Sequence, residues 1–398
     1  MEGVKAFRKA IDHSPFLKEG LFFFFPVSAC YAVLMPLIWV GIYQLSYPDI
    51  ELIPPQQLHS HEMIFGFYTA ALAGFLCSAV AEWTNTKPRR GKQLILLLLL
   101  WLPARFIGFW GADSFILIGG FFDLCFLALL LFFVASPIIQ TRRWRSLSFA
   151  LWLAVLLILD IALYYSWWTE NIELSSRILW AFICVYIILF SLSITRINTV
   201  VANLALDPTG ETSPYRPHPG RRNLAAFLTA LYALSMLVLP QSQMQYYLAF
   251  AASAGFMDRA AEWFIGKAAF KTEVLCLMLA NISASLGFLL IGLSGFNSEI
   301  SPYLGLHILT IGSLGVAVLG VFTIAGLRHS GRTLITIPWQ SKMAVLLIVL
   351  SAMLRIAPEL FNNFSLNGYH YLISSLLWSL AFILWLWGYI PLIKHRLK

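Results

Sequence analysis

Apolar residues come in runs of about 20 along the chain, broken by short polar stretches, and about 20 is the number of residues a helix needs to cross a bilayer's hydrocarbon core. The runs predict spans near residues 21–44, 59–83, 93–110, 113–135, 147–168 and 175–195, then 223–240, 243–258, 272–294, 302–327, 339–358 and 369–391. Nothing in them alternates with the period of two that a half-buried strand requires. The longest interior break, 196–222, contains Asp207, Pro208, Gly210, Pro214, Pro217, Pro219 and Gly220 and reads as an irregular connector between two six-helix halves. The prediction is an all-α, polytopic membrane helix bundle of about twelve transmembrane helices. It forms a single integral membrane domain over 1–398, opened by a polar segment, 1–20.

Charge supports this reading and orients it. Of 398 residues, 59% are hydrophobic and 12% charged, against roughly 25% charged in soluble proteins, which excludes a globular cytosolic enzyme. A net charge of +8 would point to nucleic acid in a soluble chain, but basic loops facing an anionic cytoplasmic leaflet account for it here. Every second break collects Lys and Arg: Lys5, Arg8, Lys9, Lys18; Lys87, Arg89, Arg90, Lys92; Arg142, Arg143, Arg145; Arg196, Arg216, Arg221, Arg222; Arg259, Lys267, Lys271; Arg328, Arg332, Lys342; Lys394, Arg396, Lys398. These are 24 of the 27 basic residues. The opposite breaks hold Asp49, Glu51, Asp113, Glu170, Glu173, Glu299 and Glu359. The alternation predicts both termini on the cytoplasmic side. Near the start, Val27, Ser28, Ala29 and Cys30 resemble a lipoprotein cleavage box, yet the apolar run continues to about Leu45, which suits a retained first helix.

The five cysteines, Cys30, Cys77, Cys125, Cys184 and Cys276, fall in five different spans with no CxxC pair, so no disulfide framework is expected. No CxxCH occurs either, and any haem would be held non-covalently.

Polar residues within spans are costly and mark sites. The three basic residues outside the loop pattern, Arg105, Arg177 and Arg355, map to the outer ends of the third, sixth and eleventh spans. His59, His61, Glu62, His307 and His370 open spans that enter from that side, and Asp160 lies in the outer half of the fifth. Singly, each reads as an interfacial side chain. Together, imidazoles and guanidinium groups at one depth supply what a haem needs, nitrogen ligands for iron and forks for the propionates. The densest group is His59-Ser60-His61-Glu62-Met63. At about 100° per residue, His59 and Met63 share a helix face while His61 points away. Either two centres share the segment, or the helix begins after His59. Met63 adds a thioether suited to Cu(I), and Glu62 could orient an imidazole. A polar helix cap is the competing reading.

Gly66, Ala70 and Gly74 follow as a smooth stripe for a packed helix or a flat ring. His307, with Gly312, Gly315 and Gly320 below it, repeats the arrangement in the tenth span. His329, at the inner end of that span, lies about 30 Å from His307, too far to share a metal.

The stretch from His59 through Phe67, HSHEMIFGF, with Ala73-Gly74-Phe75-Leu76 beyond it, resembles the second-helix signature of the NnrS family, HxHEMxFGF followed by AGFL. His307-x-x-Thr310-x-Gly312-x-x-Gly315, ending in His329-Ser330-Gly331-Arg332, is similar to that family's HxLTxGxxG and GHTGR elements, and Arg196-Ile197-Asn198 with Asn203 to its stretch after the sixth helix. Departures are Leu58 for a common Trp, Ser330 for Thr, and no His in the ninth span. The resemblance implies a twelve-helix bacterial inner-membrane protein associated with haem and copper, made in response to nitric oxide or during denitrification, and protective under nitrosative stress. It assigns His59, His61, His307 and His329 as recurrent histidines without dividing them between the two cofactors. Membrane lipid and nitric oxide are the implied partners.

The candidate cofactor set is therefore His59, His61, His307, Arg105, Arg177 and Arg355, and the candidate metal ligands are His59, His61, Met63, His307 and His329. The alternative is a secondary transporter, because twelve helices halved by a cytoplasmic loop is also the major facilitator layout. That superfamily's motif after the second helix is not matched by Asn85-Thr86-Lys87-Pro88-Arg89-Arg90-Gly91, and only Asp258-Arg259 echoes it. An oxidase or nitric oxide reductase subunit ranks lowest, since no adjacent His pair is present. With no dinucleotide glycine pattern, no phosphate loop and no nucleophile beside a base, the chain leans away from being an enzyme.

Overall fold

The computed structural model describes residues 14–45, 53–107, 112–218, 220–331, 337–361 and 366–395. Lys5, Arg8, Lys9, Asp49, Glu51, Arg332, Arg396 and Lys398 lie outside the described residues. Those described form helices and connecting turns, with no strand among them. The long helices are α1 (Gly20–Leu45), α2 (Pro55–Thr84), α3 (Lys92–Ile107), α4 (Ala112–Gln140), α5 (Leu147–Trp168) and α6 (Ile172–Leu206), then α7 (Arg221–Val238), α8 (Met244–Arg259), α9 (Thr272–Ser294), α10 (Pro302–His329), α11 (Trp339–Leu360) and α12 (Tyr369–His395).

Among the described residues, nine of these helices are long and apolar enough to cross a membrane, which makes the chain a polytopic membrane protein by length and composition. The others, α3, α7 and α8, have 16, 18 and 16 residues. Apolar side chains face outward in rows, such as Leu151, Ile158, Ile161 and Tyr165 on α5 and Leu346, Leu350 and Met353 on α11. A water-soluble protein would hide such surfaces; lipid tails tolerate them. The most apolar stretches of α2 and α6 are instead 83% and 89% buried, so these two run through protein rather than along lipid.

Two compact units are distinguishable, one built from residues up to Phe182 with His329–Gly331 and the chain from Tyr389, the other from Ile183–Arg328 and Arg332–Gly388. The division falls inside α6 rather than in the expected connector. The early part of α6 packs in the first unit, where Phe182 meets Phe65 edge to face at 4.9 Å. Beyond Ile183 its partners are in the second, where Ser191 and Thr195 hold Arg259 of α8. The helix also extends 11 residues past the predicted limit at 195, taking Arg196, Asn198 and Asn203 out of the connector. The hydroxyl of Thr199 and the amide of Asn203 bond back to carbonyls four residues earlier, which lets polar residues continue a helix.

In the first unit, α1 lies along α2. A Cβ on Gly74 would fall 2.8 Å from the Phe25 ring, and one on Gly66 would run into the Tyr31 ring, so the smooth stripe is a seat for α1 rather than for a flat ring. In the second unit the glycines of α10 are likewise filled by protein: Gly312 by Ser283, Gly315 by Trp378 and Gly320 by Cys276. All five cysteines are free, three of them buried, as their scatter over separate spans predicts.

Candidate functional site

The entry of α2 is built by Pro54 and Pro55, whose fixed φ suits a first turn that lacks amide partners. Gln57 locks this turn in place with every side-chain valence used. Its Oε1 accepts from Trp167 Nε1 (2.7 Å) and Ser175 Oγ (2.8 Å), while its Nε2 donates to the Ile172 carbonyl (2.9 Å) and Ser176 Oγ (2.7 Å). Since the helix begins at Pro55, His59 is already inside it, and the arrangement in which the helix starts after His59 is excluded. His59 stacks on Trp39 at 4.7 Å, whereas His61 turns into the interior and stacks on Phe65 at 4.6 Å.

Directly after His61 the helix widens into a π turn, Glu62–Tyr68. A π segment leaves carbonyls poorly matched to the usual i−4 amide, and in a membrane each must find another donor. They do: Thr69 Oγ1 donates to Ile64 O (2.9 Å), Trp101 Nε1 to Phe65 O (3.1 Å) and Ser28 Oγ to Phe67 O (2.9 Å). The same construction follows His307, where Ile308–Gly315 is π-helical and Thr310 Oγ1 donates to Leu306 O at 3.0 Å. Both histidines that head the family-like motifs thus precede the rarest of the common helical forms, one frequent at functional sites.

The π turn aims Glu62 at a buried ion cluster. Arg105 of α3 donates from Nη1 to Glu62 Oε2 (3.0 Å) and from Nη2 to both oxygens of Asp123 in α4 (2.5 and 2.6 Å). The Tyr31 hydroxyl donates to Glu62, and that of Tyr164 to Asp123 Oδ2 at 3.0 Å. His61 sits between the two acids, Nδ1 facing Glu62 Oε1 at 2.9 Å and Nε2 facing Asp123 Oδ2 at 3.4 Å. Carboxylates only accept, so a ring with one at each nitrogen is a double donor. Imidazolium and guanidinium then balance two carboxylates. All four are at most 3% exposed.

This cluster unites His61, Glu62 and Arg105 from the sequence reading and adds Asp123, Tyr31 and Tyr164, which that reading missed. A signal for Asp123 existed: it lies 18 residues after Arg105 across a short predicted turn, and two antiparallel spans bring such positions to one depth. The remaining candidates sit elsewhere. Arg177 approaches the exposed Glu173 at 3.9 Å. In the second unit Arg355 donates to Glu359 (2.6 Å) and lies over the Tyr371 ring, and the neighbouring His370 is buried. His307 Nδ1 donates to Tyr303 O at 2.7 Å, which fixes the tautomer with the lone pair on Nε2. His329 meets Glu19 at 2.7 Å and Glu82 at 3.8 Å, an inner-end ion group.

Arg259, Asn198 and Asn203 build a second polar group. Arg259 is wholly buried, donating to Ser191 O (2.7 Å) and Thr195 Oγ1 (2.7 Å), so it supports packing and not the loop charge to which the sequence assigned it. Asn198 accepts from Trp263 Nε1 (3.1 Å) and donates to the Tyr215 hydroxyl (3.1 Å), which donates onward to Glu262 at 3.4 Å. Burial and the Glu262 charge push the Tyr215 phenol up to about 12. In the same connector, hydrogen bonds from Thr209 and Thr212 hold the exposed Asp207 carboxyl below its ordinary range.

The family model described as NnrS protein matches residues 15–396. The chain belongs to the NnrS family. Among curated proteins no match is found. Membership makes the π turns after His61 and His307 features of an NnrS protein, and it raises the question of whether the donors fit the cofactors that the resemblance implies. Among the described residues no three His, Cys, Asp or Glu side chains converge on one point as metal ligands. His61 and Arg105 direct their polar atoms at carboxylates and do not fit as iron ligand or propionate fork. His307, with Nδ1 tied to a carbonyl and Nε2 as the lone-pair nitrogen, has the form of a histidine ligand.

Proposed function

We propose that this NnrS-family chain is a haem- and copper-associated inner-membrane protein of the bacterial response to nitric oxide, in which His307 Nε2 is the haem ligand and His59 with Met63 the copper-side donors. The orientation of the His307 ring carries the haem part. A hydrogen bond from Nδ1 to a main-chain carbonyl is the support that ligating histidines ordinarily have, fixing both tautomer and ring plane. His59, held flat against Trp39, and Met63, four residues on, offer an imidazole and a soft thioether. A bound haem would supply an iron centre able to take nitric oxide as a ligand. The Tyr303 carbonyl would raise the basicity of His307, and the closely packed glycines of α10 would keep that helix from shifting beneath it.

The test is an absorption spectrum and metal assay of protein purified from a haem-replete host, with and without nitric oxide. His307→Ala should lose most of the Soret band, His59→Ala and Met63→Ala should lower copper, and His61→Ala should leave both. A colourless, metal-free native preparation overturns the proposal. The buried ion cluster favours a second reading, a secondary transporter, since charges inside a membrane bundle often line a pathway. Substrate uptake by vesicles made without haem would support it.

A further inference from the structure

One carboxyl of the first unit has no part in the ion cluster. Asp160 of α5 is 0% exposed, and neither side-chain oxygen has a hydrogen-bond partner. Its surroundings are apolar on its own helix, where Leu156, Leu159 and Leu163 are also buried. The charged groups that act on it are Asp123 of α4 and Arg105 of α3, with Tyr164 one turn along α5; beyond Arg105 and Asp123 stand His61 and Glu62 of α2.

The charge balance decides its state. Arg105 and the doubly donating His61 offset Glu62 and Asp123, and the cluster is neutral without Asp160. An ionised Asp160 would be an unpaired charge in a dry interior, with no donor to either oxygen, and an uncompensated buried carboxylate is among the costliest groups a protein can hold. Nor is it a packing residue, because leucine would fill an apolar site without stranding two polar atoms.

We propose that Asp160 is a proton-binding site within the membrane-embedded part of the first unit. At rest it holds one proton on its carboxyl. Release transfers that proton to solvent and leaves a carboxylate facing Asp123 and Arg105, so the site unloads when positive charge is added to the cluster and reloads when that charge leaves. This inference does not depend on haem or copper.

Infrared difference spectroscopy of the full chain in lipid at neutral pH reads the site directly. The native protein should show the carbonyl stretch of a protonated carboxyl, downshifted after transfer to D2O, and Asp160→Asn should lose that band. Absence of the band in the native protein, its survival in Asp160→Asn, or its failure to shift in D2O would each overturn the proposal. Should the variant fail to accumulate, dicyclohexylcarbodiimide, an apolar reagent for protonated carboxyls, gives an independent reading on native protein. Mass spectrometry should place the adduct on Asp160; exclusive labelling of Asp123 or Glu62, or none at all, overturns it. Asp160→Leu should be at least as heat-stable as the native chain, whereas an Asp160 ionised and paired in the native state would make that variant markedly less stable.

Discussion

Replacing Arg105 with methionine tests the ion cluster most severely. The substitution keeps an unbranched side chain beside Trp101 but removes a guanidinium that makes three hydrogen bonds, two of them to Asp123 and one to Glu62. Two buried carboxylates then share one imidazolium. Breaking a buried ion pair from one side costs about 3 to 5 kcal/mol, most of it the burden of the charge left behind. Globular unfolding entropies convert about 4 kcal/mol into a fall of roughly 5 °C in Tm if the whole chain melts together, and about twice that if the first unit melts alone. Trp101, whose ring centroid lies 5.9 Å from the Arg105 guanidinium carbon, and Trp167, stacked edge to face on His61 at 5.3 Å, serve as fluorescent reporters of local melting in detergent. Arg105→Met combined with Asp123→Asn restores neutrality, with Glu62 against His61, and should recover about 2 kcal/mol of the loss through coupling. If Arg105→Met costs under about 1 kcal/mol, or if the two losses simply add, the charge balance described above is wrong.

Gln57→Leu should cost about 2 to 3 kcal/mol, because Trp167 and Ser175 lose the acceptor they share at the head of α2; thermal melts measure it, and Gln57→Glu should recover part of the loss through the same oxygen. Gly66→Ala should destabilise by about 1 to 3 kcal/mol, since its Cβ enters the Tyr31 ring. Gly41→Ala, with open space around it, should be neutral or slightly stabilising in the same assay. Tyr215 contributes a pH effect of known sign. Its phenol titrates higher folded than unfolded, so the stability it confers is complete below pH 10 and is lost as the pH rises toward about 12. Native protein should therefore lose more stability than Tyr215→Phe across that interval in paired melts.

Helix positions were largely legible because bilayer thickness imposes a run length that composition cannot disguise. What the runs concealed was helical continuation on polar sequence. Residues 196–206 look like loop by hydropathy, yet Thr199 and Asn203 bond to their own helix and Asn198 finds partners in Trp263 and Tyr215. The π turns were equally hidden, for they depend on Ser28 and Trp101, which other helices deliver. At the site, His61, Glu62 and Arg105 could be singled out by their cost in a membrane, but the sequence suggested a cofactor for Arg105 where the fold supplies Asp123. A lone charge in a span announces that it has a partner without saying which.

The two π turns also say something about lineage. Each is equivalent to an α-helix carrying one residue too many, and excising one residue would restore the ordinary ladder while turning everything on one side by roughly 100° relative to the other. In α2 that single deletion would swing His61 off Glu62 and Asp123, and in α10 it would swing His307 by the same arc. Both histidines owe their bearing to an insertion that a simpler ancestral helix need not have had, and length changes at these two points are the ones least open to drift.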